Sequence, residues 1–234
     1  MLLLERDKQL AQLTRWHEAR ESRGGCVVLI TGEAGIGKTA MVGEFIRRRG
    51  AAVRALWGAC DPLSTPQPLG PLADVSRQVG GALLEAMTQG TNRERIFAAT
   101  VEVLECATKP VVLVIEDMHW ADDATLDLMK YVGRRIGRTR ATLIATYRTD
   151  EIHPRHPLQV AVGLLPGETV RRLPLTALSE SAVGELAQTL GRSSAGLYAA
   201  TGGNPFYVTE VLAAPPGLHT MRSLPLPSLY GVRT

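Results

Sequence analysis

The sequence has few of the features that mark secreted or membrane proteins. Its 234 residues include three cysteines, Cys26, Cys60 and Cys106, which lie far apart and form no C-x-x-C pair. No disulfide framework is therefore expected, and a reducing compartment, the cytoplasm, fits best. The apolar runs are strand-sized and fall well short of the ~20 residues of a membrane span. Charged residues follow the first four positions, so no signal peptide is expected either.

The sequence also lacks a large excess of positive or negative charge. The chain has 26 Lys and Arg against 23 Asp and Glu, a net charge of +3. This excess is too small for a nucleic-acid-binding footprint, so no direct contact with nucleic acid is expected. The densest basic clusters, residues 47–49 and 134–135, fall toward the ends of predicted helices, where cations favour the helix dipole and solvent.

Strand-like and helix-like segments alternate along most of the chain. Continuous apolar runs without polar alternation are typical of parallel strands buried on both faces. The predicted strands are residues 27–31, 53–59, 111–115, 141–147 and 170–175. The predicted helices are residues 3–18, 38–49, 72–104 with a break at 90–92, and a helix that begins at Asp122. This alternation predicts an α/β fold, a parallel sheet with helices on both faces.

The last part of the chain has a different, all-helical pattern. Ser179 is expected to cap one helix, and Asn204 with Pro205 indicates the start of another. From residue 214 onward four prolines and two glycines accompany no helical or strand period, which predicts an unstructured tail.

A glycine-rich loop follows the first predicted strand. Residues 32–39 read GEAGIGKT and satisfy the pattern G-x-x-x-x-G-K-[ST]. A chance glycine loop is disfavoured because the required strand precedes it and a helix follows. Its glycines let backbone N–H groups surround phosphate oxygens, Lys38 is expected to reach the β- and γ-phosphates of ATP, and the Thr39 hydroxyl to coordinate Mg²⁺. The predicted nucleotide-binding residues of this phosphate loop are Gly32, Glu33, Ala34, Gly35, Ile36, Gly37, Lys38 and Thr39.

Two acidic residues follow the strand at 111–115. Glu116 is expected at the position that holds Mg²⁺, and Asp117 at that of the carboxylate that activates the attacking water. The Glu-Asp order inverts the common Asp-Glu order, and an Asp side chain is one methylene shorter than Glu. Hydrolysis of ATP to ADP is therefore expected to be slow. The alternative interpretation is that both acids only cap a loop.

Taken in order, these segments resemble the AAA-like ATPase domain of the signal-transduction (STAND) ATPases, in particular the large ATP-binding LuxR-type regulators of bacteria. The segments that carry the resemblance are the phosphate loop and residues 4–7 (LERD), 114–128 (VIEDMHWADDATLDL), 145–151 (ATYRTDE) and 201–212 (TGGNPFYVTEVL). The resemblance implies a P-loop NTPase fold of the ASCE or AAA-like type, a three-layer parallel sheet with a small C-terminal helical lid.

The resemblance also implies roles for residues outside the loop. Arg6 belongs to the lead-in segment that lies beside adenine in the family. Arg148 falls at the sensor position and could reach the γ-phosphate; the alternative is an exposed arginine paired with Asp150 or Glu151. Pro205 matches the lid motif that closes over the nucleotide, with an ordinary helix start as its alternative.

The expected organisation is a lead-in helix over residues 1–25, a P-loop ATPase core over 26–175, a helical lid over 176–213 and a disordered or non-native tail over 214–234. Regulators of this kind continue into sensor and DNA-binding domains, whereas the resemblance here ends at residue 213. The chain is therefore expected to be a truncated or frame-shifted product or a stand-alone fragment. No membrane contact is expected, and homo-oligomer formation stays open.

The sequence is compatible with three functions. The leading hypothesis is a slowly hydrolysing ATP/ADP switch domain of a signalling or transcriptional regulator. The alternative is an AAA+-type motor module with productive turnover, in which Arg134 or Arg135 would serve a neighbouring subunit as an arginine finger. The third is a non-functional remnant. Guanine specificity is not expected, because no N-K-x-D segment is present.

Overall fold

The computed structural model describes residues 3–214 except 64, 66 and 91. The strands in this part of the chain are β1 (Cys26–Thr31), β2 (Arg54–Ala59), β3 (Val111–Glu116), β4 (Thr142–Tyr147) and β5 (Val170–Pro174). They form one parallel sheet in the order β2-β3-β4-β1-β5. All residues of β1, β3 and β4 are buried, as uniformly apolar runs covered on both faces require. The predicted parallel α/β sheet is confirmed.

The register of the central strands brings their carboxyl ends to one level. β1 pairs with β4 from Cys26 opposite Thr142 to Thr31 opposite Tyr147. β3 pairs with the other edge of β4, with Ile115 opposite Ala145. The phosphate loop leaves β1, Glu116 ends β3 and Arg148 follows β4, so all three groups emerge at the same edge of the sheet.

Helices connect the strands and form the C-terminal segment. They are α1 (Asp7–Glu18), α2 (Arg20–Arg23), α3 (Lys38–Arg49), α4 (Gly70–Val79), α5 (Gly81–Thr88), α6 (Arg93–Glu105), α7 (Asp123–Gly133), α8 (Pro157–Gly163), α9 (Glu180–Thr189), α10 (Leu197–Thr201) and α11 (Pro205–Ala213). The capping side chains of Asp122, Ser179 and Asn204 accept backbone N–H groups as predicted.

Some predicted helix boundaries were wrong. The first helix begins at Asp7, not at residue 3. The region 72–104 contains a break at Gly80, whose φ of +72° a helix cannot hold, in addition to the predicted break near residue 91, which itself lies outside the described residues. The tail predicted from residue 214 lies outside the described residues from 215 onward.

Two apolar cores cover the two faces of the sheet. In β1, Val28 and Ile30 pack in the cluster that contains Met41 and Phe45 of α3, whereas alternate residues such as Leu29 face the other side. The second core contains buried residues of α4 to α8. This alternation gives the three layers that the sequence pattern predicts.

A third, separate apolar cluster lies within residues 176–213, here called the lid segment. It consists of Leu178, Ala182, Val183, Ala187, Leu197, Val208 and Leu212. Leu4, which precedes α1, packs against this cluster. None of the helices in the described part of the chain is both long and apolar enough to cross a membrane.

Candidate nucleotide site

The phosphate loop has the backbone shape that its glycines allow. Gly35 and Gly37 adopt φ values of +73° and +94°, a region open to glycine with little cost. Lys38 begins α3, is 8% exposed, and donates from Nζ to the carbonyls of Gly32 and Glu33, each at 2.8 Å. Burial lowers the pKa of the Lys38 ammonium, and the nearby charge of Asp117 opposes that shift. A buried cation at a helix N-terminus is suited to phosphate oxygens.

Thr39 and Glu116 meet at the same edge of the sheet. The Thr39 hydroxyl donates to Glu116 Oε1 at 2.5 Å, and the indole N–H of Trp57 in β2 donates to Glu116 Oε2 at 2.9 Å. A hydroxyl and a carboxylate side by side are the hard oxygen ligands that Mg²⁺ prefers. Within the described residues no group of three or more His, Cys, Asp and Glu side chains could hold a metal ion.

Asp117 occupies a turn directly after β3. Its φ of +54° is left-handed, a conformation that Asp tolerates better than most residues, and its N–H donates to Thr146 Oγ1 at 3.1 Å. Burial raises the pKa of the Asp117 carboxyl, while the charges of Arg148 and Lys38 oppose the rise. A raised pKa makes a carboxylate a stronger base toward the proton of a water molecule.

The side chain of His119 is fully buried and lies close to Asp117 and Glu151. Its Nδ1 is 3.9 Å from Asp117 Oδ1, and its Nε2 is 3.6 Å from Glu151 Oε2. Burial first, and then the charges of Arg148 and Lys38, lowers the pKa of His119 to about 4. The imidazole is therefore neutral near pH 7 and packs on the ring of Trp120, with centroids 4.4 Å apart.

Arg148 lies beside the site but is already paired. Its Nη1 donates to Glu151 Oε1 at 2.6 Å, and its guanidinium carbon lies 4.9 Å from the centre of the Trp120 ring. Its charge acts on both Asp117 and Lys38. Arg148 thus makes the pairing with Glu151 that the alternative interpretation named, and it is half-buried. Its role as a sensor of the γ-phosphate stays a prediction.

The lid segment contacts the phosphate loop through the start of α11. Asn204 Nδ2 donates to the carbonyl of Ala34 at 2.8 Å, and the N–H of Phe206 donates to the carbonyl of Gly35 at 3.2 Å. Pro205 lies between these two contacts, at the first position of the helix.

Arg6 contacts the loop from the lead-in segment. It is 2% exposed, and its Nη2 donates to the carbonyls of Ile36 at 3.2 Å and Thr176 at 2.8 Å. The preceding residue, Glu5, accepts both the backbone N–H and the hydroxyl of Ser179. The lead-in therefore joins the phosphate loop to the base of the lid segment, and the predicted role of Arg6 beside adenine stays a prediction.

The structure brings most of the predicted site residues together at one edge. The contacts that the sequence reasoning missed include those of Trp57 with Glu116 and of the Asn204 side-chain amide with the phosphate loop. No local pattern marks Trp57. Asn204 was predicted only as a helix cap. Asp or Ser would cap the helix equally well, so the choice of an amide at this position could have indicated a second hydrogen-bond partner.

Comparisons with known proteins agree with this fold. The ORC2 protein of Aeropyrum pernix matches with a TM-score of 0.61 and 16% identity, over 88% of this chain and 60% of that one. A STAND protein of Pyrococcus horikoshii with a tetratricopeptide repeat sensor matches with a TM-score of 0.59 and 23% identity, over 92% of this chain and 30% of that one. At such identities these likenesses show the fold.

Two sequence comparisons add to the structural ones. An uncharacterized protein of Rhizobium meliloti (strain 1021) is 27% identical over 72% of this chain, which spans 21% of that protein. Residues 2–144 match the family model described as AAA ATPase domain. Because this match covers more than half of the sequence, the chain belongs to the AAA ATPase domain family.

Proposed function

We propose that the protein is an ATP-binding, slowly hydrolysing nucleotide switch domain of a bacterial signalling or transcriptional regulator. The observation that carries this proposal is the position of the phosphate loop: Thr39 contacts the carboxylate of Glu116, while the lid segment bonds to Ala34 and Gly35. One loop thus joins the place for the phosphates to the segment that would move.

The residues have separate tasks in this proposal. Lys38 and the loop N–H groups bind the β- and γ-phosphates, and Thr39 and Glu116 hold Mg²⁺. The ion would neutralise charge on the phosphate oxygens. Asp117 accepts the proton of the attacking water, and its short side chain keeps hydrolysis slow. Arg148 distinguishes ATP from ADP by reaching the γ-phosphate once it leaves Glu151.

In this proposal the division into core and lid follows the sequence boundaries, with residues 26–175 as core and 176–213 as lid. The separate apolar cluster of the lid segment supports that division. Sensing and DNA binding would belong to other domains of a full-length regulator. The chain spans 21% of the length of the Rhizobium meliloti protein and 30% of the length of the Pyrococcus horikoshii protein, which is consistent with this arrangement.

A motor module with productive turnover is the second candidate. Arg135 stacks on Tyr131, with its guanidinium carbon 3.5 Å from the ring centre, whereas Arg134 at the end of α7 is exposed and available to a neighbouring subunit. That exposed arginine favours the motor; the inverted acidic pair favours the switch.

Bound nucleotide and turnover separate the two candidates. A switch should be purified with ADP bound, should release it slowly, and should turn over far below the roughly 1 s⁻¹ of ordinary enzymes. A motor should show rapid turnover that rises with protein concentration and is lost in Arg134→Ala. A folded protein that neither contains nor binds adenine nucleotide would contradict both.

A further inference from the structure

Three carbonyl groups of the phosphate loop accept hydrogen bonds from the lid and lead-in segments, on the side here called the outer side. Asn204 donates to the Ala34 carbonyl, the Phe206 N–H donates to the Gly35 carbonyl, and Arg6 of the lead-in segment donates to the Ile36 carbonyl. A trans peptide unit points its carbonyl and its N–H in opposite directions. A donor that holds the Ala34 carbonyl therefore directs the N–H of Gly35 to the opposite side, here called the inner side, which in the proposed function is the phosphate side.

Asn204 uses both ends of its amide. Its Oδ1 accepts the N–H of Phe206 at 3.1 Å, which caps α11, and its Nδ2 donates to Ala34 at 2.8 Å. The side chain is 7% exposed in the described structure. A cap requires only an acceptor, which Asp, Ser or Thr also supplies, whereas the bond to a carbonyl requires a donor. The bond to the Ala34 carbonyl is thus the contact that an ionised aspartate at this position cannot make.

We propose that Asn204 is a positioning residue for nucleotide binding. Its amide orients the Ala34–Gly35 peptide unit of the phosphate loop and ties the lid helix α11 to that orientation. Phosphate bound on the inner side and Asn204 on the outer side then stabilise the same loop conformation. By linkage, nucleotide strengthens lid docking as much as lid docking strengthens nucleotide binding. This inference rests on the proposed nucleotide-binding function.

Asn204→Asp separates the two tasks of the residue. The aspartate preserves size and the capping oxygen but places a carboxylate against the Ala34 carbonyl in place of a donor. The dissociation constants of both Mg-ATP and ADP should rise at least about fivefold, the value of one net hydrogen bond. Asn92→Asp is the matched control, because Asn92 caps α6 by accepting the Arg95 N–H at 3.0 Å. Its nucleotide affinities should equal those of the unsubstituted chain.

Hydrogen exchange of the nucleotide-free full chain supplies a readout that does not depend on binding. Asn204→Asp should accelerate exchange of the amides at residues 33–36 and 206–209, and Asn92→Asp should not. Asn204→Ser is the second variant if the aspartate does not fold: its hydroxyl still caps the helix, but the side chain ends one atom before the position of Nδ2, the atom that donates to Ala34.

The outcomes distinguish this inference from the proposed function. If the unsubstituted chain binds nucleotide and Asn204→Asp binds it equally well, the inference is overturned and the proposed function stands. If the unsubstituted chain binds no nucleotide, the proposed function fails and this inference, which rests on it, fails with it. If the unsubstituted chain binds nucleotide, faster exchange in the loop of Asn204→Asp together with weaker binding supports the positioning role, and unchanged exchange overturns it.

Discussion

Arg148 donates to Glu151 across 2.6 Å at the sheet edge that carries the phosphate loop. The other oxygen of Glu151 accepts the indole N–H of Trp120 at 3.1 Å, and the Trp120 ring lies beneath the guanidinium. The guanidinium of Arg148 thus lies near Lys38 and Asp117, while the carboxylate of Glu151 is bonded to it. A γ-phosphate would have to replace Glu151 as the partner of Arg148, and ADP offers no such replacement.

Arg148→Ala should narrow the preference for ATP over ADP by about tenfold, because a charge-assisted contact with the γ-phosphate is worth roughly 1.5–3 kcal/mol. Glu151→Gln should widen the preference, since it removes the competing charge and keeps the shape of the side chain. Calorimetric dissociation constants for both nucleotides test both variants. Arg77→Ala, which removes an exposed arginine paired with Asp74 on α4, is the control. Equal losses for ATP and ADP in Arg148→Ala would make Arg148 a structural residue.

Substitutions of the two acids at the end of β3, Glu116 and Asp117, should have different effects on ATP binding and hydrolysis. Asp117→Asn should preserve ATP binding and abolish hydrolysis, because an amide does not accept a proton as a carboxylate does. Glu116→Gln should instead weaken the Mg²⁺ dependence of binding, since it changes the group that Thr39 contacts. Phosphate release and titrations with and without Mg²⁺ measure the two effects. The opposite result in the two variants would reverse the assigned roles.

Gly35→Ala should detach the lid segment from the loop. A Cβ at Gly35 would lie 2.7 Å from Phe206 Cβ and 2.9 Å from Asn204 Oδ1. Gly37→Ala is a matched control, because Gly37 also has a positive φ but a Cβ there meets no described atom within 4 Å. Limited proteolysis of α9–α11 should be faster in Gly35→Ala than in Gly37→Ala. Equal rates would show that backbone strain alone accounts for the effect.

Stability should fall as the pH drops from about 6.5 toward 4. His17 is 1% exposed, its Nδ1 lies 2.9 Å from Thr142 Oγ1, and burial, reinforced by the charges of Arg20 and Arg49, lowers its pKa to about 4. The unfolded chain retains a pKa of about 6.5 and so binds more protons in this window. The contribution of neutral His17 to the free energy of unfolding is therefore complete above pH 6.5, and it is lost as the pH falls from 6.5 through the folded-state pKa of about 4. Each such histidine adds a slope of up to about 1.4 kcal/mol per pH unit.

Urea unfolding at several pH values between 7.5 and 5 measures this slope. His17→Gln should reduce it by about one histidine equivalent. The part that remains is expected from His119, whose pKa is also about 4, and from His156, whose pKa is lowered chiefly by burial. An unchanged slope in His17→Gln would contradict the assignment of neutral, buried His17.

The strands β1, β3 and β4 were predictable because burial on both faces leaves a continuous apolar signal. The strand order was not, because it depends on how each crossover passes over the sheet and not on any local pattern. The helices α8 and α10 were missed because seven and five residues are too short to show a helical period. Gly80 was missed as a break because the residues around it continue the helical pattern.

The chemistry of the phosphate loop was predictable because its fixed residues are contiguous. Contacts across the chain were not: Asn204 and Ala34 are 170 residues apart, and Trp57 and Glu116 are 59 apart. Their side chains meet only through the packing of the lid segment and the pairing of β2 with β3. The partner of Arg148 lies three residues along the chain, and that proximity allowed the sequence to indicate it.

Titration of Mg-ATP into the full chain and into Lys38→Ala tests the central claim most directly. The ammonium of Lys38 is the buried cation of the phosphate loop, so its loss should weaken binding at least about tenfold. Lys130→Ala, which removes a surface lysine paired with Asp127, should bind as the unsubstituted chain does. Binding by Lys38→Ala that is as tight as in the unsubstituted chain would contradict the assignment of residues 32–39 as the nucleotide site.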